Sequence, residues 1–151
     1  MVNYLSLEQV KALHNLIDPR ITSIKDENAL KDALAGPKAT VLGEDAYSTV
    51  DEKAAVLLDH LIKEKPFKTA NRRTGLLTYL VFLYLNNHQV NASPEKLVEL
   101  VDSVAVNNIH ISDILAFTRH STMVITPEYD NLFDVAKFIL TNYEEAFDSL
   151  S

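Results

Sequence analysis

Two arginines and an asparagine stand directly in front of the most apolar stretch of the chain. In KPFKTANRRTGLLTYLVFLYLNN, Lys65 to Asn87, the residues Asn71, Arg72 and Arg73 open a run in which only Thr78 interrupts Leu76 to Leu85. A segment apolar around most of its circumference reads as a helix buried in the middle of a domain, and it is shorter than the ~20 residues a bilayer crossing needs. Cations in a first helical turn oppose the macrodipole at up to ~1 kcal/mol each. The same turn leaves backbone N–H groups unpaired and partly positive. An anion resolves the conflict, so this helix start reads as a phosphate cradle.

The charge distribution agrees. Lys63, Lys65, Lys68, Arg72 and Arg73 fall within eleven residues that hold one acid, Glu64, whereas Pro127 to Ser151 carries six acids and a single lysine, Lys137. The net charge is −7. An acidic molecule repels nucleic acid and anionic membrane as a whole, so neither is expected as a partner. A local basic spot on it suits a small phosphorylated ligand.

Other chemistries are excluded by what is missing. The absence of cysteine removes disulfides, thiolate metal sites and cysteine nucleophiles, and fits a cytoplasmic protein. His14, His60, His88, His110 and His120 show no i, i+4 pair, so no structural metal is expected. No P-loop, dinucleotide fingerprint or GxSxG elbow occurs.

The elements that must position the basic loop are helical. With 151 residues, 47% of them hydrophobic, and only 3 glycines and 5 prolines, the chain reads as one all-α domain over residues 1–151. Ser6 with Gln9 forms a capping box for a helix from about Leu7 to Ile17, on which His14 reads as a packed histidine. Glu27 to Ala35 is a second helix, ended by Gly36-Pro37. Thr40, Val41 and Leu42, then a Gly43-Glu44-Asp45 turn, then Ala46 to Thr49 read as a small β-flap or an ordered loop. Asp51 to Lys63, capped by Thr49 or Asp51, leads into Lys65. Beyond the central helix, Asn86, Asn87 and Gln89 read as a polar turn, Ser93-Pro94 starts a helix to about Val104, Ser112 caps Asp113 to Thr118, and Arg119 to Thr122 is polar. Thr126-Pro127 opens an extra C-terminal helix at about 127–149, whose stripe of Leu132, Ala136, Ile139, Tyr143 and Phe147 predicts docking.

The loop KPFKTANRRTG resembles the signature of the Fic/Doc family, written HPFxDGNGRxxR in one branch and HxFxDANKRT in the death-on-curing (Doc) branch. Ala70, Asn71, Arg73 and Thr74 agree with the Doc form, Phe67 holds its aromatic position and Arg72 replaces a lysine. SLEQVKALH, ENALKDALAGPKATVLGEDAY, DEKAA, SPEKLVELV and ISDILAF follow the family's arrangement in order, so the resemblance covers roughly residues 5 to 120.

The resemblance implies a helical bundle around the motif helix, and a transferase that moves a phosphoryl or nucleotidyl (AMP) group from ATP or another nucleotide to a protein hydroxyl. Doc-type members act as toxins that phosphorylate a translation elongation factor and are restrained by a small antitoxin. By the same resemblance Thr69, Ala70, Asn71, Arg72 and Arg73 hold phosphates, and Lys38, Thr40 and Tyr47 belong to a flap that positions the target segment. The motif departs from the family at two places. Lys65 replaces the histidine that serves as general base, and Thr69 replaces the acidic residue that helps hold Mg²⁺. A lysine needs ~4 kcal/mol of burial and like-charge repulsion to act as a base near neutrality. Lys65 is therefore expected either as such a base or as a cationic clamp on the transferred group, and Mg²⁺ is expected only through nucleotide phosphates and waters. The alternative is a degenerate domain that binds a nucleotide or protein without transfer. Ser23 to Asn28, SIKDEN, and less closely Thr141 to Ala146 also fit the pattern of an inhibitory helix found in some Fic proteins, and both are read as structural.

Overall fold

Eight α-helices and two small antiparallel ribbons account for the regular structure of residues 1–20 and 24–151, the part of the chain that the computed structural model describes. The order is α1 (Leu7–Ile17), α2 (Glu27–Ala35), a 3-10 turn (Gly36–Lys38), β1 (Thr40–Val41), β2 (Glu44–Asp45), α3 (Val50–Glu64), α4 (Asn71–Leu85), β3 (His88–Val90), α5 (Pro94–Ala105), α6 (Ile111–Ser121), β4 (Thr122–Val124), α7 (Leu132–Asn142) and α8 (Glu144–Ser149). The all-α expectation holds.

Helix α4 is the axis. Every residue from Thr74 to Tyr84 is buried, with α1, α3, α5 and α7 packed around it. Burying each large apolar side chain contributes ~1.5–3 kcal/mol, which is why so uniformly apolar a helix takes the centre. Gly75 sets the closest approach to α3, because a Cβ there would lie 2.9 Å from Ile62 Cγ1. The far end of α4 is tied to the N-terminal segment by Asn86, whose Oδ1 accepts from Asn3 N at 2.7 Å while Nδ2 donates to Asn3 O at 2.9 Å.

Local capping explains most boundaries. Ser6 and Gln9 form the expected box on α1, Asp26 accepts from Ala29 N at 3.0 Å to start α2, and Thr49 caps α3 by accepting from Glu52 N at 3.1 Å. Ser23 of the SIKDEN pattern lies outside the described residues. Its Glu27 pairs with Lys11 at 2.9 Å, in keeping with a structural role.

Three expectations are corrected. Helix α6 begins at Ile111, not after a Ser112 cap, because the Asp113 carboxylate accepts from His110 N at 2.8 Å; it also continues through Arg119 and His120 to Ser121. The polar stretches at Gln89 and Thr122 are strands, paired His88↔Val124, Gln89↔Met123 and Val90↔Thr122. Strands of three residues so far apart in sequence carry no periodicity that could announce their pairing. The C-terminal helix does not open at Thr126-Pro127 and run unbroken to 149. The Tyr84 hydroxyl accepts from Glu128 N at 3.0 Å and Tyr129 N at 3.3 Å, holding that segment outside a helix until Asn131 caps α7. Tyr143 then breaks the helix as its hydroxyl donates to Val90 O, and α8 follows.

The segment read as flap or loop is a hairpin, with Thr40↔Asp45 and Val41↔Glu44 in register and Leu42 and Gly43 both at positive φ, 53° and 82°. A fully buried lysine roots it. Lys53, in the first turn of α3, donates to Pro37 O at 3.2 Å and to Tyr47 O, and its Nζ lies 3.5 Å from an Asp45 carboxylate oxygen. Replacing Lys53 with Met keeps the bulk and leaves two carbonyls without their donor. Such losses cost ~1–3 kcal/mol. Lys53→Met is expected to lower denaturant-unfolding stability by about that amount and to speed amide exchange in Thr40–Asp45 before that in α4; equal protection of the hairpin in both proteins would refute the anchoring role.

Candidate functional site

The loop between α3 and α4 is bounded by two left-handed corners, Lys65 at φ 48° and Ala70 at φ 59°. Non-glycine residues adopt this conformation at a cost of ~1–2 kcal/mol, so packing must enforce it. Several contacts do so. Phe67 is buried and stacks on the fully buried His14 ring at 4.0 Å and 10°. His14 Nε2 reaches Thr69 O at 3.0 Å, so α1 holds the loop through one imidazole, as a packed histidine. Pro66 O accepts from Lys25 N at 2.9 Å and Asp26 N at 3.0 Å, which ties the entrance of α2 to the loop.

Asn71 staples the loop internally: its Oδ1 accepts from Phe67 N at 3.0 Å and its Nδ2 donates to Phe67 O at 2.9 Å. Its amide thus shapes the cradle more than it reaches into it. Thr69 donates its hydroxyl to Asp18, the residue that ends α1. Asp18 in turn takes Arg20 in a bidentate pair, at 2.7 Å to Nε and 2.8 Å to a terminal nitrogen. The Arg20 guanidinium first, and the Thr69 hydroxyl second, hold the Asp18 carboxyl well below the usual carboxylate range. Nothing local in the sequence shows that Asp18 meets Thr69, 51 residues away.

Lys65, Lys68, Thr69, Ala70, Asn71, Arg72 and Arg73 line one cleft of about 330 Å³. Ala70 offers no side-chain cap to α4, so the first-turn N–H groups remain open toward it. The cations differ in their freedom. Arg72 pairs with Asp102 at 2.6 Å and Lys63 with Asp59 at 2.7 Å. Arg73 Nε is buried without a hydrogen-bond partner among the described residues. A buried guanidinium N–H left unpaired is costly, and Arg73 itself lines the cleft. Ile62, Ala105 and Leu150 add apolar side chains to the lining, and Ser151 also borders the cleft.

The flap residues and His60 lie outside the cleft lining. Lys38, Thr40 and Tyr47 do not line the cleft. Their hairpin is rooted on Lys53, about 18 Å of helix from Lys65 at 1.5 Å per residue. Lys38 Nζ lies 5.0 Å from the Tyr4 ring centroid. His60 packs on the 3-10 turn, close to Gly36, and not in the cleft. Lys65 itself is exposed, so the burial that a lysine base calls for is not provided.

The chemistry of the site does not suit a protein-held Mg²⁺. The Asp18 carboxylate is occupied by Arg20 and Thr69, and no cluster of three or more His, Asp or Glu side chains that could hold a metal occurs among the described residues. No helix of the described residues is long and apolar enough to cross a membrane.

The family model for the Fic/DOC family matches residues 4–83, which include both left-handed corners and the start of α4. The chain belongs to the Fic/DOC family. It is 30% identical over 118 residues to a protein named Toxin Doc from Mycolicibacterium smegmatis, covering 77% of this chain and 91% of that protein. Ala105 and Leu150, which also line the cleft, lie outside the residues that the family model matches.

The Asp18 anchor makes a pH-dependent prediction. A carboxyl whose folded value is depressed stabilises the protein above its ordinary pKa of ~3.9 and loses that contribution as pH falls toward the depressed value. The melting temperature of the natural protein is expected to exceed that of Asp18→Asn by a constant margin above pH ~5, and the margin to shrink below pH ~4. A margin independent of pH down to 2 would remove the charged anchor.

Proposed function

We propose that this Fic/DOC protein is a Doc-like toxin whose motif cleft binds a nucleoside triphosphate and passes a phosphoryl or AMP group to a hydroxyl of a target protein. The observation that carries the reading is the convergence of the uncapped α4 start and the unpaired Arg73 in the loop that the family model matches. Open helix N–H groups and a free guanidinium suit phosphate oxygens. In the phosphoryl case the target oxygen bonds to the γ-phosphorus as the bond to the β-phosphate oxygen breaks, ADP leaves and the hydroxyl proton passes to solvent. In the AMP case attack falls on the α-phosphorus and pyrophosphate leaves. The exposed Lys65 serves here as a charge on the transferred group, since loose phosphoryl transfer depends on positioning and charge stabilisation more than on a strong base. A translation elongation factor as target and a small antitoxin as restraint complete the reading, by likeness to Doc-type proteins.

One observation favours a second reading, binding without transfer. Among the described residues no histidine lines the cleft to take the hydroxyl proton: His14 is buried against Thr69 O and His60 lies on the 3-10 turn. The two readings part on Lys65.

In calorimetric titration, ATP is expected to bind the natural protein and to bind Arg73→Ala at least tenfold more weakly, the loss of a charge-assisted contact of ~1.5–3 kcal/mol. Mg²⁺ alone is expected to give no binding heat. Absence of ATP binding by the natural protein would remove the nucleotide site.

With a purified bacterial elongation factor and ATP labelled at the γ or α position, the retained label identifies the group transferred. Lys65→Ala is expected to cut transfer by ~10² or more, as loss of one transition-state contact does, while changing ATP affinity only a few-fold. Undiminished transfer by Lys65→Ala would end the clamp role, and ATP binding with no transfer by the natural protein would select the second reading.

A further inference from the structure

The cleft is lined by two chemically distinct sets of residues, supplied by separate parts of the chain. Lys65, Lys68, Arg72 and Arg73 come from the motif; Ile62, Ala105 and Leu150 add apolar side chains, and Ser151 also lines it. Leu150 is placed there by α8. Ala146 and Phe147 are buried in the core, α8 packs on α5, and Leu150 N closes the end of the helix on Ala146 O at 3.2 Å. The acids of this terminal turn do not oppose the motif. Glu144, Glu145 and Asp148 are exposed, do not line the cleft, and pair with neither Arg72 nor Arg73 among the described residues. A plug over the cations would turn its carboxylates toward them. This segment instead turns a partly exposed leucine toward the same space and leaves about 330 Å³ open, within the range that holds small ligands.

We infer that Leu150, with Ala105, forms the wall against which the base of the bound nucleotide rests, so that the C-terminal turn selects a nucleotide over a bare polyphosphate. The inference rests on the nucleotide reading of the cleft and goes beyond it in assigning discrimination to a segment outside the residues that the family model matches. An anion held only by the cations gains nothing from Leu150. A nucleotide carries an aromatic base that leaves water when it meets Leu150 and Ala105, and part of a leucine's burial is then at stake.

The test compares ATP with inorganic tripolyphosphate by calorimetry. Leu150→Ala is expected to bind ATP about five- to tenfold more weakly and tripolyphosphate within about twofold of the natural protein, with Leu150→Met restoring ATP affinity. Unchanged tripolyphosphate binding also shows that the start of α4 is intact in the variant. Should Leu150→Ala fail to fold, Ala105→Phe crowds the same wall from α5 and is expected to weaken ATP alone. Equal losses for both ligands in a folded variant, or no loss for either, overturn the inference. Tighter binding of both by Leu150→Ala would make the turn an occluding element and also overturn it. If the natural protein binds tripolyphosphate and ATP equally well, the cradle stands and the wall falls; if it binds neither, the nucleotide reading itself fails.

Discussion

Ile62 and Gly75 meet where α3 and α4 come closest, with no room for a β-carbon between them. The rest of the molecule depends on this contact because α4 is apolar on nearly every face and must be surrounded. Helices α1, α3, α5 and α7 supply the enclosure, and the first turn of α4 is the part that stays open. One helix thus carries both the core and the mouth of the cleft. The motif loop inherits its position from this close α3–α4 packing.

Given that position, the loop is shaped by polar contacts that bring distant segments together. His14 from α1, Asp18 from its end and the entrance of α2 all bind the four residues between Lys65 and Ala70. They stabilise a backbone turning through two left-handed corners, a conformation these side chains do not favour in isolation. The same contacts sort the polar groups by role. Thr69 and Asn71 are engaged within the protein, Arg72 is shared with Asp102, and Arg73 retains an unsatisfied buried N–H. The electrostatic character of the cleft therefore comes from fewer groups than the count of cations in the loop suggests.

Lys53 shows the same logic at the opposite end of α3. A buried ammonium is costly unless its donors are matched, and Pro37 O, Tyr47 O and the Asp45 carboxylate match them. The hairpin is thereby a fixed ribbon with Val41 and Leu42 exposed near its tip, and its residues do not line the cleft.

By itself the sequence determined the family, the all-α architecture, the central helix and the ends of α1 and α2, because each of these is written in local signals: a capping serine with its glutamine, a Gly-Pro stop, an uninterrupted apolar run, a motif of adjacent residues. It also placed Lys65 and Thr69 through Arg73 together, since neighbours in a tight loop must share a surface. Only the tertiary structure decided that Asp18 meets Thr69, that Lys53 is buried, that His88–Val90 pairs with Thr122–Val124, and that Leu150 and Arg73 line one cleft. Each of these joins residues far apart in the chain through side chains whose types are individually ordinary. The physical reason is that caps and periodicity act within a turn or two of backbone, whereas long-range pairing is fixed only when packing around α4 brings those segments within hydrogen-bonding and van der Waals reach.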